Sequence, residues 1–181
     1  MRKLKLEELD RLSVEEFQAQ PKTPVVLVLD NVRSALNVGS AFRTADAFAL
    51  QKIYLCGITA QPPHREILKT ALGATEAVEW EYTATVEEAI TALQKENFAI
   101  WAVEQAAERT WLQDFELPAA QALALVFGNE VNGVSQSVMD VADGAIEIPQ
   151  FGTKHSLNVS VSVGVVVWQV FQQHLQRKAR S

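Results

Sequence analysis

The chain has 181 residues, of which 48% are hydrophobic and 21% charged, a balance typical of one globular domain with a sizeable core. No apolar run is long enough to span a membrane, and the charged N-terminus lacks the apolar stretch of a signal peptide. The single cysteine, Cys56, cannot form an internal disulfide and is expected to be buried, and together these features favour the cytoplasm.

The net charge of −6 argues against nucleic-acid binding, but the charges are unevenly distributed. Residues 76–147 carry two basic and fourteen acidic side chains, whereas residues 25–75 carry five basic and three acidic ones. Residues 148–181 carry four basic side chains and no acidic ones. If the two basic stretches share a face, that face attracts phosphates despite the total; otherwise the acidic stretch is simply solvated surface.

Strands and helices are predicted to alternate along the chain. Residues 1–23 form a short N-terminal helical segment, in which Ser13-Val-Glu-Glu16 is a capping box. Apolar and β-branched runs predict strands at 25–30, 52–56, 77–82, 98–103, 123–127 and 144–148. Helices are predicted at 41–50, at 67–72, from the capping box at Thr85 to about Glu96, and after Ser135.

The segment 158–167 fits two structures. Its valines alternate at period two, which favours a strand. A helix instead places Val159, Val163, Val166 and Val170 on one stripe, and the basic tail suits a helix C-terminus. The pattern alone leaves both structures open.

The alternation predicts, for residues 24–181, one α/β domain with a mostly parallel sheet and helices on both faces. In such sheets, ligands bind beyond the carboxyl ends of the strands. Polar clusters follow four predicted strands, at Asp30-Asn31, Glu104-Gln105, Gly128-Asn-Glu130 and 149–155. The sequence therefore predicts a ligand site at this edge of the sheet.

Several common sites are excluded. The loop from Gly128 to Ser135 has the glycine spacing of a P-loop, but Val134 stands where that loop needs a lysine. No dinucleotide-binding glycine fingerprint follows a strand, and the motif Gly-x-Ser-x-Gly is absent. One cysteine and three separated histidines form no cluster with metal-ligand spacing, so no metal site is expected.

Three polar segments remain. The first contains Asn37-Val-Gly-Ser-Ala-Phe-Arg43-Thr-Ala, the second is Gly128-Asn-Glu-Val-Asn-Gly-Val-Ser135, and the third is Ile148-Pro-Gln-Phe-Gly-Thr-Lys-His-Ser-Leu-Asn158. In this order and spacing they resemble the signature motifs of the SpoU (TrmH-like) RNA 2′-O-ribose methyltransferases of the SPOUT superfamily. The resemblance covers roughly residues 24–172.

The resemblance implies an α/β fold whose C-terminal part forms a deep trefoil knot. It implies that S-adenosylmethionine is the cofactor, bent within the knot and held largely by backbone groups. It also implies a homodimer through the knotted region, with RNA contacting residues of both subunits. In this family the segment after the third motif is helical.

The resemblance assigns roles to individual positions. The positions that match catalytic residues are Asn37, Arg43, Glu130, Ser156 and Asn158. The positions that match cofactor-binding residues are Glu104, Gln105, Gly128, Ile148 and Leu157. The expected RNA contacts are Arg33, Arg43, Arg65, Lys69 and Lys154. Gln150 departs from the family, since many relatives carry methionine there.

These residue types suit the reaction. A ribose hydroxyl is a poor nucleophile unless its proton is drawn away, and methyl transfer needs the oxygen and methyl group held in line. Arg43 would bind the adjacent phosphate and stabilise charge, because a guanidinium stays protonated and is a poor base. Asn37, Ser156 and Asn158 would supply hydrogen bonds, and Glu130 would orient one of them and suit a cationic cofactor.

Each assignment has a simpler alternative. Arg43 is otherwise a surface arginine of a helix, and Glu130 a member of a turn. Ser156 is otherwise a helix N-cap, and Asn37 a cap for the helix at 41–50. His155 titrates near neutrality but is not required by the family pattern, so we expect at most a phosphate contact from it.

The sequence thus predicts transfer of a methyl group from S-adenosylmethionine to a ribose 2′-oxygen of tRNA or rRNA. The segment 1–23 is too short to be a separate RNA-binding domain, which favours a structured tRNA read by its shape and phosphates. One alternative is a non-catalytic RNA-binding dimer with the same fold. Another is a different nucleotide-binding α/β enzyme, which would have no affinity for S-adenosylmethionine.

Overall fold

The structure is a computed structural model that describes residues 1–5, 8–9, 12–119, 121–154 and 156–179. The strands are β1 (Thr23–Asp30), β2 (Leu50–Cys56), β3 (Trp80–Thr83), β4 (Ala99–Val103), β5 (Thr110–Trp111), β6 (Leu123–Phe127) and β7 (Gly144–Glu147). The helices are α1 (Val14–Ala19), α2 (Ala35–Ala47), α3 (Arg65–Ala71), α4 (Ala74–Ala77), α5 (Val86–Lys95), α6 (Gln136–Met139) and α7 (Val159–Lys178), with a 3₁₀ turn at Leu112–Asp114.

The strands described form one seven-stranded sheet in the order β3-β2-β1-β6-β4-β7-β5. Every pairing between neighbouring strands is parallel, which confirms the predicted parallel α/β class. The late strand β6 lies between β1 and β4, so Val28 of β1 is opposite both Tyr54 of β2 and Val126 of β6. This insertion brings the carboxyl ends of β4, β6 and β7 together.

Alternate residues of the central strands face opposite layers of helices. Val25, Leu27 and Leu29 of β1 pack with α2, α3, α4 and α7 in one core. Val26 and Val28 pack with α5 and α6 in the other. Because both faces are covered, the central strands contain near-continuous apolar runs, as the sequence indicated.

Cys56 is fully buried in the second core, as expected. Burial raises the pKa of its thiol to about 12, outweighing the hydrogen bond from Thr83. The thiol is therefore un-ionised and unreactive near neutrality. Among the described residues, none of the helices combines the length and the apolar character that a membrane span requires.

Two predicted boundaries were wrong. The helix placed at 41–50 is α2, which begins at Ala35 and ends at Ala47, and Leu50 already belongs to β2. In α2, a Cβ on Gly39 would lie 2.1 Å from Thr70 Oγ1, so glycine allows α2 and α3 to approach closely. The strand placed at 77–82 is shorter, because Ala77 ends α4.

The ambiguous segment is helical. Val163, Val166 and Val170 of α7 are buried and Val159 is partly buried, as the helical stripe predicted. The two-residue strand β5 was not predicted at all, because so short an edge strand leaves no periodic pattern in the sequence.

Candidate functional site

A cavity of about 400 Å³ lies beyond the carboxyl ends of β4, β6 and β7. Such a position is where open parallel sheets bind ligands, because the loops leaving neighbouring strands diverge there. Eight residues selected from the sequence line it: Glu104, Gln105, Gly128, Glu130, Ile148, Ser156, Leu157 and Asn158. The second and third polar segments therefore face each other across one cavity.

Glu130 connects all three polar segments. Its carboxylate accepts hydrogen bonds from the backbone N–H groups of Arg33 at 2.8 Å and Ser34 at 3.0 Å, at the N-terminus of α2. It also accepts one from Asn37 Nδ2 at 3.0 Å, and Asn37 Oδ1 accepts one from Asn158 Nδ2 at 3.2 Å. The chain Glu130–Asn37–Asn158 thus joins α2, the loop after β6 and the start of α7.

The hydrogen bonds to Glu130 also change its acidity. Partial burial raises the pKa of this carboxyl. The hydrogen bonds from the backbone N–H groups of Arg33 and Ser34 and from the amide of Asn37 lower the pKa by more, so the net pKa is below the ordinary value. Glu130 is therefore ionised at neutral pH. Its negative charge lies at the positive end of α2, where the helix dipole favours an anion.

The loop from Gly128 to Ser135 is held from both sides by carboxylates of neighbouring strands. Asp30, fully buried at the end of β1, accepts a hydrogen bond from the Ser135 N–H at 2.7 Å. Glu104, just after β4, accepts one from the Val134 N–H at 2.9 Å and another from the Gln105 N–H at 2.8 Å. Glu104 thus shapes the cavity rather than only bordering it.

Two glycines make this loop possible. Gly133 has a φ of +69°, and a Cβ there would lie 2.1 Å from Glu104 Oε2. A Cβ on Gly128 would lie 2.0 Å from the carbonyl carbon of Gly133, because the two ends of the turn are joined by the Asn129–Gly133 bridge. The glycines of the second motif are therefore required by close backbone contact.

The capping alternatives for Asn37 and Ser156 were wrong. Ser34 caps α2, and Asn37 lies inside its first turn. Asn158 caps α7, accepting a hydrogen bond from the Ser160 N–H at 2.9 Å, whereas Ser156 is an exposed residue of the cavity lining. The turn alternative for Glu130 is compatible with its other contacts, since it lies within the Asn129–Gly133 turn.

Arg43 is not in this cavity. It lies with Lys69 in a separate hollow between α2, α3 and α7, which Gly164 also lines. Its guanidinium is exposed and forms no hydrogen bond or ion pair within the described part of the chain. Three further predicted RNA contacts are exposed and line neither this cavity nor the hollow of Arg43: Arg33, Arg65 and Lys154. His155 lies outside the described residues.

Several residues of the cavity were not predicted from the sequence. Asn129, Val131 and Gly133 lie inside the second motif and were overlooked only as individual residues. Glu147, the last residue of β7, also lines the cavity and forms an ion pair with Arg109 at 2.7 Å. Its place directly before Ile148, at a strand end, was the available signal.

Three acidic residues, Glu104, Glu130 and Glu147, thus line a cavity that also has apolar walls. This composition suits a small-molecule ligand that combines positive charge with apolar groups. A parallel α/β sheet with such a cavity at its carboxyl edge defines the class of small-molecule-binding α/β proteins.

Comparison with known proteins assigns the chain to a narrower group than that class. A model of the SpoU rRNA Methylase family matches residues 24–168, which is most of the chain, and the protein therefore belongs to that family. The chain is 31% identical over 171 residues to the 23S rRNA (guanosine-2′-O-)-methyltransferase RlmB of Vibrio parahaemolyticus, covering 94% of this chain and 68% of the relative. It is 30% identical over 170 residues to the tRNA (guanosine(18)-2′-O)-methyltransferase of Thermus thermophilus, covering 93% of this chain and 85% of the relative.

Solved structures agree on the fold. The A. aeolicus TrmH/SpoU tRNA modifying enzyme superposes with a TM-score of 0.80 at 24% identity, covering 91% of this chain and 82% of that one. The SpoU methyltransferase AviRb from Streptomyces viridochromogenes, in complex with AdoMet, superposes with a TM-score of 0.77 at 18% identity. The superposition covers 93% of this chain and 64% of AviRb.

Proposed function

We propose that the protein transfers a methyl group from S-adenosylmethionine to the 2′-oxygen of a ribose in tRNA or rRNA. The observation that carries this proposal is the hydrogen-bond chain Glu130–Asn37–Asn158, which joins the first motif to the second and third motifs that line one cavity. Family membership and the names of both relatives, which are RNA guanosine 2′-O-methyltransferases, support it. We therefore expect the product to be 2′-O-methylguanosine.

The cavity suits S-adenosylmethionine. Its volume of about 400 Å³ is in the range of small-molecule sites, and its three carboxylates complement a sulfonium cation and an amino group. The structural neighbour AviRb has been solved with this cofactor. When bound, the cofactor supplies an electrophilic methyl group, and the residues around it hold the ligand and exclude water.

The residues of the chain would act mainly by positioning. Asn37 and Asn158 are fixed by each other and by Glu130, so their amides are preorganised beside the cavity. Ser156, an exposed residue of the cavity lining, would hydrogen-bond the ribose. Arg43 would bind the phosphate next to the target ribose and stabilise the charge that develops as the hydroxyl loses its proton.

The position of Arg43 supports a homodimer. In one chain, Arg43 lines a different hollow from the cavity, so a single protomer does not bring the two together. That hollow adjoins α7, whose Val161, Val165 and Trp168 are 50%, 39% and 47% exposed. We infer that a second copy covers this apolar face and that Arg43 of one protomer serves the cavity of the other.

The strand order supports the deep trefoil knot expected of the family. β6 enters the sheet between β1 and β4, and the chain then returns from β7 through the third motif to α7, which packs with α2 in one core. We place the knot in this C-terminal part. A cytoplasmic location follows from the proposed RNA substrates.

The test uses labelled S-adenosylmethionine with unmodified tRNA and rRNA, followed by digestion and separation of the nucleosides. We expect a labelled 2′-O-methylnucleoside, with a rate at least about 100-fold lower for Arg43→Ala. Lys95→Ala, which removes an exposed cation from α5 on the opposite face of the sheet, is the control and should remain active. A base-methylated product would overturn the ribose assignment, and cofactor binding with no labelled RNA in either pool would favour the non-catalytic dimer.

A further inference from the structure

Arg109 lies behind the wall of the cavity. Glu147 lines the cavity at the end of β7, and only 15% of its side chain is exposed. The Nε of Arg109 donates to Glu147 Oε2 at 2.7 Å from the other side of that wall. Arg109 lines a neighbouring hollow and not the cavity, so it contacts the carboxylate without reaching the ligand space.

The same guanidinium also holds the segment that leaves β4. Its Nη1 donates to the carbonyl of Ala106 at 3.1 Å, and its Cζ lies 4.4 Å from the ring centroid of Trp111. Glu104 and Gln105, directly before Ala106, line the cavity. Arg109 therefore connects β5, β7 and the loop that carries two cavity residues.

Backbone pairing alone holds this edge weakly. β5 has two residues, which pair with Ile146 and Glu147 of β7, and it is the last strand of the sheet. So short an edge strand contributes few ladder hydrogen bonds, so side-chain contacts determine where the loop from 104 to 109 lies. The ion pair is partly shielded from solvent, and removing one member would leave a carboxylate without its partner at the cavity wall.

We propose that Arg109 is a positioning residue for the cofactor site: through Glu147 and the Ala106 carbonyl, it fixes the loop 104–109 against the cavity and thereby sets the affinity for S-adenosylmethionine. The inference rests on the proposed cofactor, and it concerns affinity rather than the chemical step. Variants of Arg109 should therefore change the KM for S-adenosylmethionine and leave kcat at saturating cofactor nearly unchanged.

The experiment measures S-adenosylmethionine binding to the full chain by calorimetry, together with KM and kcat for methyl transfer. Arg109→Ala is expected to weaken binding about tenfold, the loss expected when a charged hydrogen bond no longer holds a binding loop. Glu147→Gln should weaken it in the same direction, and Arg109→Lys should recover part of the loss because it restores the charge but not the planar donor group.

Lys52→Ala is the matched control, because Lys52 forms ion pairs with Glu79 and Glu81 at the opposite edge of the sheet. Its affinity for S-adenosylmethionine should equal that of the wild type. If Arg109 only neutralised Glu147, Arg109→Ala would bind the cationic cofactor more tightly, and this result would overturn the inference. Equal binding by wild type and Arg109→Ala would also overturn it.

Failure of the proposed function gives a different result. A wild-type protein that does not bind S-adenosylmethionine overturns the proposed cofactor and this inference together. Wild-type binding with unchanged affinity in all Arg109 and Glu147 variants overturns the inference alone. If Arg109→Ala is too unstable to purify, Arg109→Lys and Glu147→Gln provide the same comparison.

Discussion

At the scale of single residues, Glu130 does more than its place in a turn indicates. It lies in a loop after β6, yet it accepts hydrogen bonds from the backbone N–H groups of Arg33 and Ser34, the two residues directly before α2 and nearly one hundred residues earlier in the chain. Its carboxylate therefore holds the two residues from which α2 begins, including the N-cap Ser34. The stability of α2 and the geometry of the cavity therefore depend on the same side chain.

Glu130→Gln is expected to lower the free energy of unfolding by about 1 kcal/mol near neutral pH, because an amide oxygen replaces a charged acceptor at a helix N-terminus. Folding lowers the pKa of Glu130, so its stabilising contribution is present above the ordinary glutamate value of 4.5 and is lost as pH falls through the folded value. Urea unfolding between about pH 7 and about pH 3 checks this, since the free energies of unfolding of the wild type and of Glu130→Gln should converge in acid.

Glu108→Gln is the control for this comparison. Glu108 is exposed, and it forms no hydrogen bond or ion pair within the described ranges. Its substitution should change the free energy of unfolding little at any pH. A difference between wild type and Glu130→Gln that stays constant into acid would contradict the assigned role of the carboxylate.

At the scale of elements, α7 shows why propensity did not decide the structure of its first half. Valines at every second position favour a strand, but Val161 and Val165 are exposed while Val163 is buried, so the burial does not follow period two. Packing against the core that contains α2 favours the helix, and Asn158 caps the N-terminus of α7. The start of α2 could not be predicted either, because Glu130, which accepts hydrogen bonds from the N–H groups of the two residues before α2, is remote in sequence.

The second motif was predicted as a loop, and its backbone geometry gives a sharp test. Gly128→Ala should lower the free energy of unfolding by about 3 kcal/mol, because its Cβ would overlap the backbone of Gly133. Gly152→Ala, in the third motif, is the control, since no atom lies within 4 Å of its Cβ position. Denaturant unfolding of both variants measures this, and equal stability of the two would show that the loop adapts to the extra atom.

At the scale of the whole molecule, one group of acidic side chains and one basic pair lie on opposite faces of the sheet. The acidic residues Glu87, Glu88 and Glu96 lie on or beside α5 and cover one face, whereas Arg43 and Lys69 lie on α2 and α3, on the other. The net negative charge is therefore compatible with a local basic surface at the hollow that Arg43 and Lys69 line. Residue counts along the chain showed that acidic side chains concentrate in residues 76–147, and the positions of the helices separate Arg43 and Lys69 from those on α5.

The proposed shared site predicts complementation between two inactive variants. Arg43→Ala keeps the cavity, and Leu157→Trp is designed to fill it, so neither homodimer should methylate RNA. In an equal mixture, each heterodimer would contain one complete site, made of the intact cavity of one protomer and the Arg43 of the other. Activity should recover to about a quarter of the wild-type value.

The control for this mixture is co-refolding of each variant with itself, which should give no activity. If Arg43 served the cavity of its own protomer, no site in the heterodimer would be complete, and the mixture would stay inactive. Sedimentation of the wild type measures the dimer directly. A monomer that methylates RNA at the full rate would contradict both the dimer and the shared site.

By itself, the sequence determined the parallel α/β class, most strands, and the edge of the sheet at which polar residues gather, because burial on both faces and breaks at strand ends leave local patterns. Through three motifs it also pointed to the family and to eight residues of one cavity. The tertiary structure alone decided the start of α2, the ion pair of Arg109 with Glu147 and the separation of Arg43 from the cavity, and it confirmed the helical form of α7 that the family resemblance implied. These features depend on contacts between residues far apart in the chain, which periodicity and spacing do not record.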